Sequence, residues 1–146
     1  MPTRTARTAW NGSLETGEGQ VELTSSKIGT YDVSFPKRAA DDANGFTSPE
    51  ELLAAAHSAC YAMQFSAVLG AAGGTVEALD VKADVTLGAD PAGGFRLTGI
   101  HLTVRGEVTG IDSATFLAVA AEAKASCPVS KALTGVEITL DAHLEE

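Results

Sequence analysis

The chain is poor in the residues that most often announce a function. Only two cysteines, three histidines and one tryptophan occur among its 146 residues. No CxxC and no HxxxH spacing is present, so a metal site finds no support in spacing. Basic residues are scarce: ten Lys and Arg stand against 19 Asp and Glu, a net charge of -9. That balance repels phosphate backbones and anionic lipid, which argues against nucleic-acid and membrane-surface partners. "MPTRTARTAW" holds two arginines but lacks an apolar core and a small-residue cleavage site. It reads as Thr-rich and strand-like, so no targeting segment is expected and the expected compartment is the cytoplasm. In that compartment a cysteine pair is catalytic, redox-sensing or plain core rather than a structural staple. No internal repeat, low-complexity tract or long linker interrupts the chain, and residues 1–146 are expected to form a single domain.

Present instead is a clear alternation of strand and helix signals. Three short β-like runs open the chain: "TARTAWNG", "GQVELTSS" and "TYDVSF". "NGSLETGEG" has the Gly and Asn content of a hairpin loop, and residues 36–47 read as a loop. A helix starts at "SPEE", with Ser48 as N-cap, Pro49 at the first helical position and Glu51 in the capping-box position. It is expected to run to about Leu69. No Asp, Glu, Lys or Arg occurs between Leu52 and Val76, so this helix is apolar nearly all round. The run is Ala-rich, is broken by His57, Ser58, Gln64 and Ser66, and lacks basic anchors. It therefore predicts a central helix wrapped by protein rather than a membrane span. "ALDVKADVTLG" and "RLTGIHLTVRGEV" predict a long antiparallel hairpin. A second helix follows a cap at Asp112 or Ser113 and breaks at Pro128, where a short helical turn restarts. "GVEITLDAHLEE" closes as a strand. The order β-β-β-α-β-β-α-β predicts an α+β fold with antiparallel sheets around buried helices.

Few side chains on this frame can do chemistry. Cys60 sits mid-helix in apolar surroundings that disfavour a thiolate, and spacing alone favours an inert core cysteine. A nearby cation would change that, and "FPKRAA" supplies Lys37 and Arg38; arginine suits a partly buried pairing better because it keeps its charge. Cys127, in "SCPVS", stands at a helix break where amides of the next turn can favour a thiolate. A helix-terminal core cysteine explains it equally well. The two cysteines are either unrelated or meet in space, where a disulfide needs Cα atoms within roughly 4.4–6.8 Å. His57 lies one turn before Cys60 and could join it as a metal ligand only with Cys127 and His101 or His143 completing the set. A hydrogen-bonded core histidine is the plainer reading. Glu50 and Glu51 both suit a helix start, but only Glu51 is occupied by capping, which leaves Glu50 free.

"TSPEELLAAAHSACYAMQFSAVLGAAG", "GIDSATFLAVAAEAKASCPVSKAL" and "EITLDAHL" resemble the OsmC/Ohr family of cysteine-based hydroperoxide reductases, and "AWNGSLETGEGQVEL" resembles its opening hairpin. His57 before the cysteine, and no arginine in the "NGSLETGEG" loop, resemble the OsmC branch. The resemblance implies an intertwined homodimer that reduces organic hydroperoxides, and hydrogen peroxide less well. It implies that Cys60 is peroxidatic, that Cys127 is resolving, and that Glu50 orients an arginine beside the thiolate. Arg38 matches that arginine, with Lys37 as the fallback. It further implies a Cys60–Cys127 disulfide, no metal, haem or flavin, and regeneration by dihydrolipoamide on a lipoyl protein or by another dithiol.

Glu50 precedes Cys60 by ten positions, about 15 Å along a straight helix at about 1.5 Å per residue. Service by Glu50 to the site of Cys60 would therefore need a second chain, or Arg38 to bridge part of the gap. Two other function classes fit the same residues: a non-enzymatic redox sensor, and a ligand-binding dimer with idle cysteines.

Overall fold

Residues Arg7–Asn11 (β1), Glu18–Glu22 (β2) and Thr30–Val33 (β3) pair antiparallel in that order. In β2, Val21 is buried between Gln20 and Glu22, the alternation of a half-buried strand. Trp10 lies opposite Gly19, where a Cβ would stand 2.9 Å from the indole, so glycine lets the ring lie over the strand. The computed structural model describes every residue, Met1–Glu146, in two compact units, Met1–Leu52 and Leu53–Glu146.

The first unit holds that sheet and one element within the expected loop. Phe35–Arg38 forms a single helical turn, α1, whose first amides are capped when Lys37 N–H donates to Ser34 Oγ at 3.3 Å. Pro36 in its first turn costs no hydrogen bond, so a Pro-containing stretch becomes helical. The long helix α2 (Pro49–Ala71) starts where expected: Glu51 N–H donates to Ser48 Oγ at 3.1 Å. The Glu51 carboxylate accepts from the Thr47 hydroxyl at 2.8 Å.

In the second unit, Thr75–Ala89 (β4) and Phe95–Thr109 (β5) form the expected hairpin. Ser113–Ser126 (α3) opens on Asp112, whose carboxylate accepts the Thr115 amide at 2.7 Å. Pro128–Ala132 (α4) is the restarted turn, and Ile138–Leu144 (β6) closes the sheet in the order β4-β5-β6. The α+β class stands, with one pairing different from expectation: β6 runs parallel to β5. The chain leaves the end of β5 through α3 and α4, and such a helical crossover returns the next strand in the same direction.

The core of this unit is a layer of β5 (Ile100, Leu102, Val104, Val108) under α3 (Phe116, Val119, Ala120, Ala123) and one face of α2 (Tyr61, Phe65, Leu69). Gly106 lets the Phe116 ring lie on β5, since a Cβ there would stand 2.7 Å from it. α2 buries His57, Tyr61, Phe65 and Leu69 along a single stripe. Ala55, Ala56, Ala59, Met63, Ala67 and Gly70 on the other side are exposed, Met63 to 70%. The expectation of a helix wrapped on all sides is therefore not met within one chain. Absence of charge specified burial on every face, but one chain supplies cover for only one of them.

Candidate active site

Cys60 lies on α2 one turn after His57 and directly before Tyr61, on the side that packs toward α3 and α4. Cys127 is the junction between those two helices. Its amide donates to Ala123 O at 2.9 Å, ending α3, and its carbonyl accepts the Lys131 amide at 3.0 Å, starting α4. Pro128 allows the change of direction because it has no amide to leave unpaired. Both cysteines are free thiols. Their sulfurs are 3.3 Å apart, within range of a thiol hydrogen bond.

Cys127 is fully buried while Cys60 is half-buried, so Cys60 is the sulfur nearer solvent. Burial pushes the Cys60 pKa up, the Val129 backbone amide pulls it down, and the neighbouring Cys127 pushes it up again; the net direction is upward. The Val129 amide, in the turn after Cys127, thus serves Cys60. Tyr61 is buried as a donor, its hydroxyl on Ala120 O at 2.9 Å. Burial raises its pKa and keeps the phenol protonated.

Two polar contacts flank the thiols. His57 Nε2 and Ser130 Oγ are 2.7 Å apart, both side chains buried. Burial lowers the His57 pKa, so the ring is neutral. Gln64 Nε2 donates to Ser126 Oγ at 2.9 Å. His57 is thus a hydrogen-bonded core histidine. Ser130, Val129, Gln64 and Ser126 were not singled out from the sequence. The signal available was the presence of His57 and Gln64 in an otherwise apolar helix, since a polar group on a packed face needs a partner. His101 bonds the Thr139 hydroxyl at 2.7 Å and His143 lies 3.8 Å from Glu145, each well occupied away from the cysteines.

In the first unit, Arg38 grips Glu50. Its Nε donates to the two carboxylate oxygens at 3.1 and 3.2 Å and its terminal amine to Oε1 at 2.7 Å. Such forked contacts fix the guanidinium plane as well as its charge. Of the two cations in "FPKRAA", Arg38 is the one that Glu50 holds. Burial alone would push the Glu50 carboxyl up, but the Arg38 guanidinium, with the Glu50 amide and Ser48 hydroxyl, brings it below the usual value. Arg38 also lines an apolar cleft of about 350 Å³ with Trp10, Leu14, Val21, Val33 and Phe35.

Comparison with known proteins adds three findings. The family model described as OsmC-like protein matches residues 41–141. A curated relative, the peroxiredoxin OsmC of Escherichia coli, is 41% identical over 136 residues, 93% of this chain and 92% of the relative. Among solved structures, the organic hydroperoxide resistance protein OsmC of Legionella pneumophila superposes with a TM-score of 0.77 at 29% identity, covering 97% of each chain. OhrB of Bacillus subtilis gives 0.75 at 26% identity, covering 95% of this chain and 98% of that one.

Proposed function

The chain belongs to the OsmC-like protein family, and we propose that it reduces organic hydroperoxides, and hydrogen peroxide less readily, with Cys60 as nucleophile and Cys127 as resolving thiol. The observation that carries this is the free thiol pair at 3.3 Å, with one sulfur half-buried and the other fully buried. The names of its relatives, a peroxiredoxin and two organic hydroperoxide resistance proteins, support peroxide as the oxidant.

The Cys60 thiolate attacks the outer oxygen of the peroxide. A sulfur–oxygen bond forms, the O–O bond breaks, and the leaving alkoxide takes a proton to become an alcohol. Cys60 is then a sulfenic acid, oxidised by two electrons. The Cys127 sulfur displaces hydroxide from it, which leaves as water with the Cys127 proton, and a Cys60–Cys127 disulfide remains. A small dithiol, of which dihydrolipoamide on a lipoyl protein is the proposed case, reduces the disulfide and is itself oxidised to a cyclic disulfide.

Burial raises the Cys60 pKa, so the Val129 amide needs help to hold a thiolate. We assign that help to Arg38, held charged and oriented by Glu50. A homodimer is part of the same proposal. The exposed Ala and Met face of α2 is what a second copy would cover, because an apolar surface of that kind gains most from leaving water. The expected setting is the cytoplasm, where dithiols are kept reduced.

The test is turnover of cumene hydroperoxide, fatty acid hydroperoxides and hydrogen peroxide with dihydrolipoamide as reductant. Turnover of the organic peroxides that vanishes in Cys60→Ser supports the proposal. Failure to consume any peroxide, or consumption that survives Cys60→Ser, overturns it.

A further inference from the structure

The two thiols are the middle rung of a three-rung ladder between α2 and the α3–α4 junction. Along α2 the rungs are His57, Cys60 and Gln64; opposite them, in reverse order, are Ser130, Cys127 and Ser126. The contacts measure 2.7 Å, 3.3 Å and 2.9 Å respectively. All six residues belong to the second unit.

The outer rungs are costly features for a core. His57 is fully buried and its Nδ1 has no hydrogen-bond partner, an expense that an apolar side chain would avoid. A proton on Nδ1 would be a stranded donor, so the ring proton belongs on Nε2, which donates to Ser130 Oγ. This rung ties the helix bearing Cys60 to the turn that Cys127 opens. The Gln64–Ser126 rung does the same on the other side of the sulfurs. Pro128 breaks the helix beside Cys127, so the register of α4 against α2 rests on tertiary contacts: these ties, and Val129 and Leu133 packed on the core.

We propose that His57 and Ser130, supported by Gln64 and Ser126, are positioning residues that keep Cys127 at bonding range of Cys60, so that the disulfide closes without local unfolding. The inference rests on the assignment of Cys127 as resolving thiol. The sulfurs must close from 3.3 Å to about 2.05 Å, a movement side-chain torsions can supply while both outer rungs stay made. Closure then outpaces a second peroxide molecule, which would carry the sulfenic acid irreversibly to sulfinic acid.

The experiment compares full-length wild type, His57→Leu, His57→Gln and Ser130→Ala, each reduced and given one equivalent of cumene hydroperoxide. Peroxide loss reports the first step, and dimedone capture of Cys60 against disulfide, by mass spectrometry, reports the second. We expect His57→Leu and Ser130→Ala to consume peroxide within about twofold of wild type but to close the disulfide about tenfold more slowly, with Cys60 captured by dimedone. His57→Gln, which places an amide donor at the Nε2 position, recovers closure. A general loss of structure would slow both steps and would not be rescued by Gln. Equal slowing of both steps, or closure at the wild-type rate in both variants, overturns the proposal.

The same four proteins are equilibrated in dithiothreitol redox buffer, which forms the disulfide without peroxide. Loosening the pair lowers its effective concentration, so His57→Leu and Ser130→Ala should weaken the disulfide about tenfold, about 30 mV for two electrons. An unchanged or strengthened disulfide sinks the positioning role. Should wild type ignore peroxide while the two variants show this shift, the peroxidase proposal is retired and the ladder stands.

Discussion

The Arg38–Glu50 pair and the Cys60–Cys127 pair solve opposite electrostatic problems. Glu50 is buried yet charged, because a forked guanidinium offsets its lost hydration. Cys60 is only half-buried yet pushed toward the neutral thiol, because burial and the neighbouring Cys127 outweigh the one backbone amide that favours a thiolate. One region carries a fixed charge and no nucleophile; the other carries a nucleophile and no fixed charge. The proposed thiolate chemistry draws on both. The polar rungs around the sulfurs are neutral hydrogen bonds, which hold position without adding charge.

The largest expected effect comes from the second region. Cys60→Ser abolishes peroxide reduction, measured as dithiol-dependent turnover. Cys127→Ser consumes about one equivalent and stalls as sulfenic acid, and a second equivalent carries it to sulfinic acid; normal turnover there with a dithiol would remove the resolving role. Next is the proposed role of Arg38. Arg38→Ala raises the Cys60 pKa and slows alkylation at neutral pH by about tenfold or more. The pH profile of iodoacetamide labelling reads this directly, and an unchanged profile alongside a shift in Lys37→Ala would move the role to Lys37. Mixing Glu50→Ala with Cys60→Ser chains locates Glu50: recovered activity after subunit exchange places it in trans, and none places it in cis.

Two smaller effects concern stability. Gly106→Ala drives a Cβ against Phe116 and should cost about 1–3 kcal/mol by thermal unfolding. Glu50→Gln should cost under about 1 kcal/mol, because Arg38 remains about a third exposed and water screens the pair. The sign with pH is fixed by the lowered Glu50 pKa. Its contribution is full above the ordinary carboxylate value of 4.5 and disappears as pH falls through the lowered one. Denaturant unfolding at neutral pH should therefore separate Glu50→Gln from wild type more than unfolding in acid does.

Local signals carried most of the frame. The Ser48 and Asp112 caps, the long hairpin and the helix break at Pro128 all rest on neighbours in sequence, and each is found where those neighbours put it. α1 was not legible, since four residues containing a proline give no periodicity to read. The parallel pairing of β6 depends on how α3 and α4 carry the chain across, which alternation within β6 does not encode. The uncharged run of α2 showed that the helix must be covered without showing by what. The Arg38–Glu50 contact was expected from the resemblance and is formed in the first unit. The His57–Ser130 and Gln64–Ser126 contacts join positions 73 and 62 residues apart, and a polar residue's need for a partner does not reveal which partner it finds.

The most direct measurement is intact and peptide mass spectrometry of wild type, Cys127→Ser and Cys60→Ser after one equivalent of cumene hydroperoxide. The expected products are a Cys60–Cys127 disulfide in wild type, one added oxygen on Cys60 in Cys127→Ser, and an unoxidised Cys127 in Cys60→Ser. Oxygen appearing first on Cys127, or wild type left with both thiols free while peroxide disappears, would contradict it.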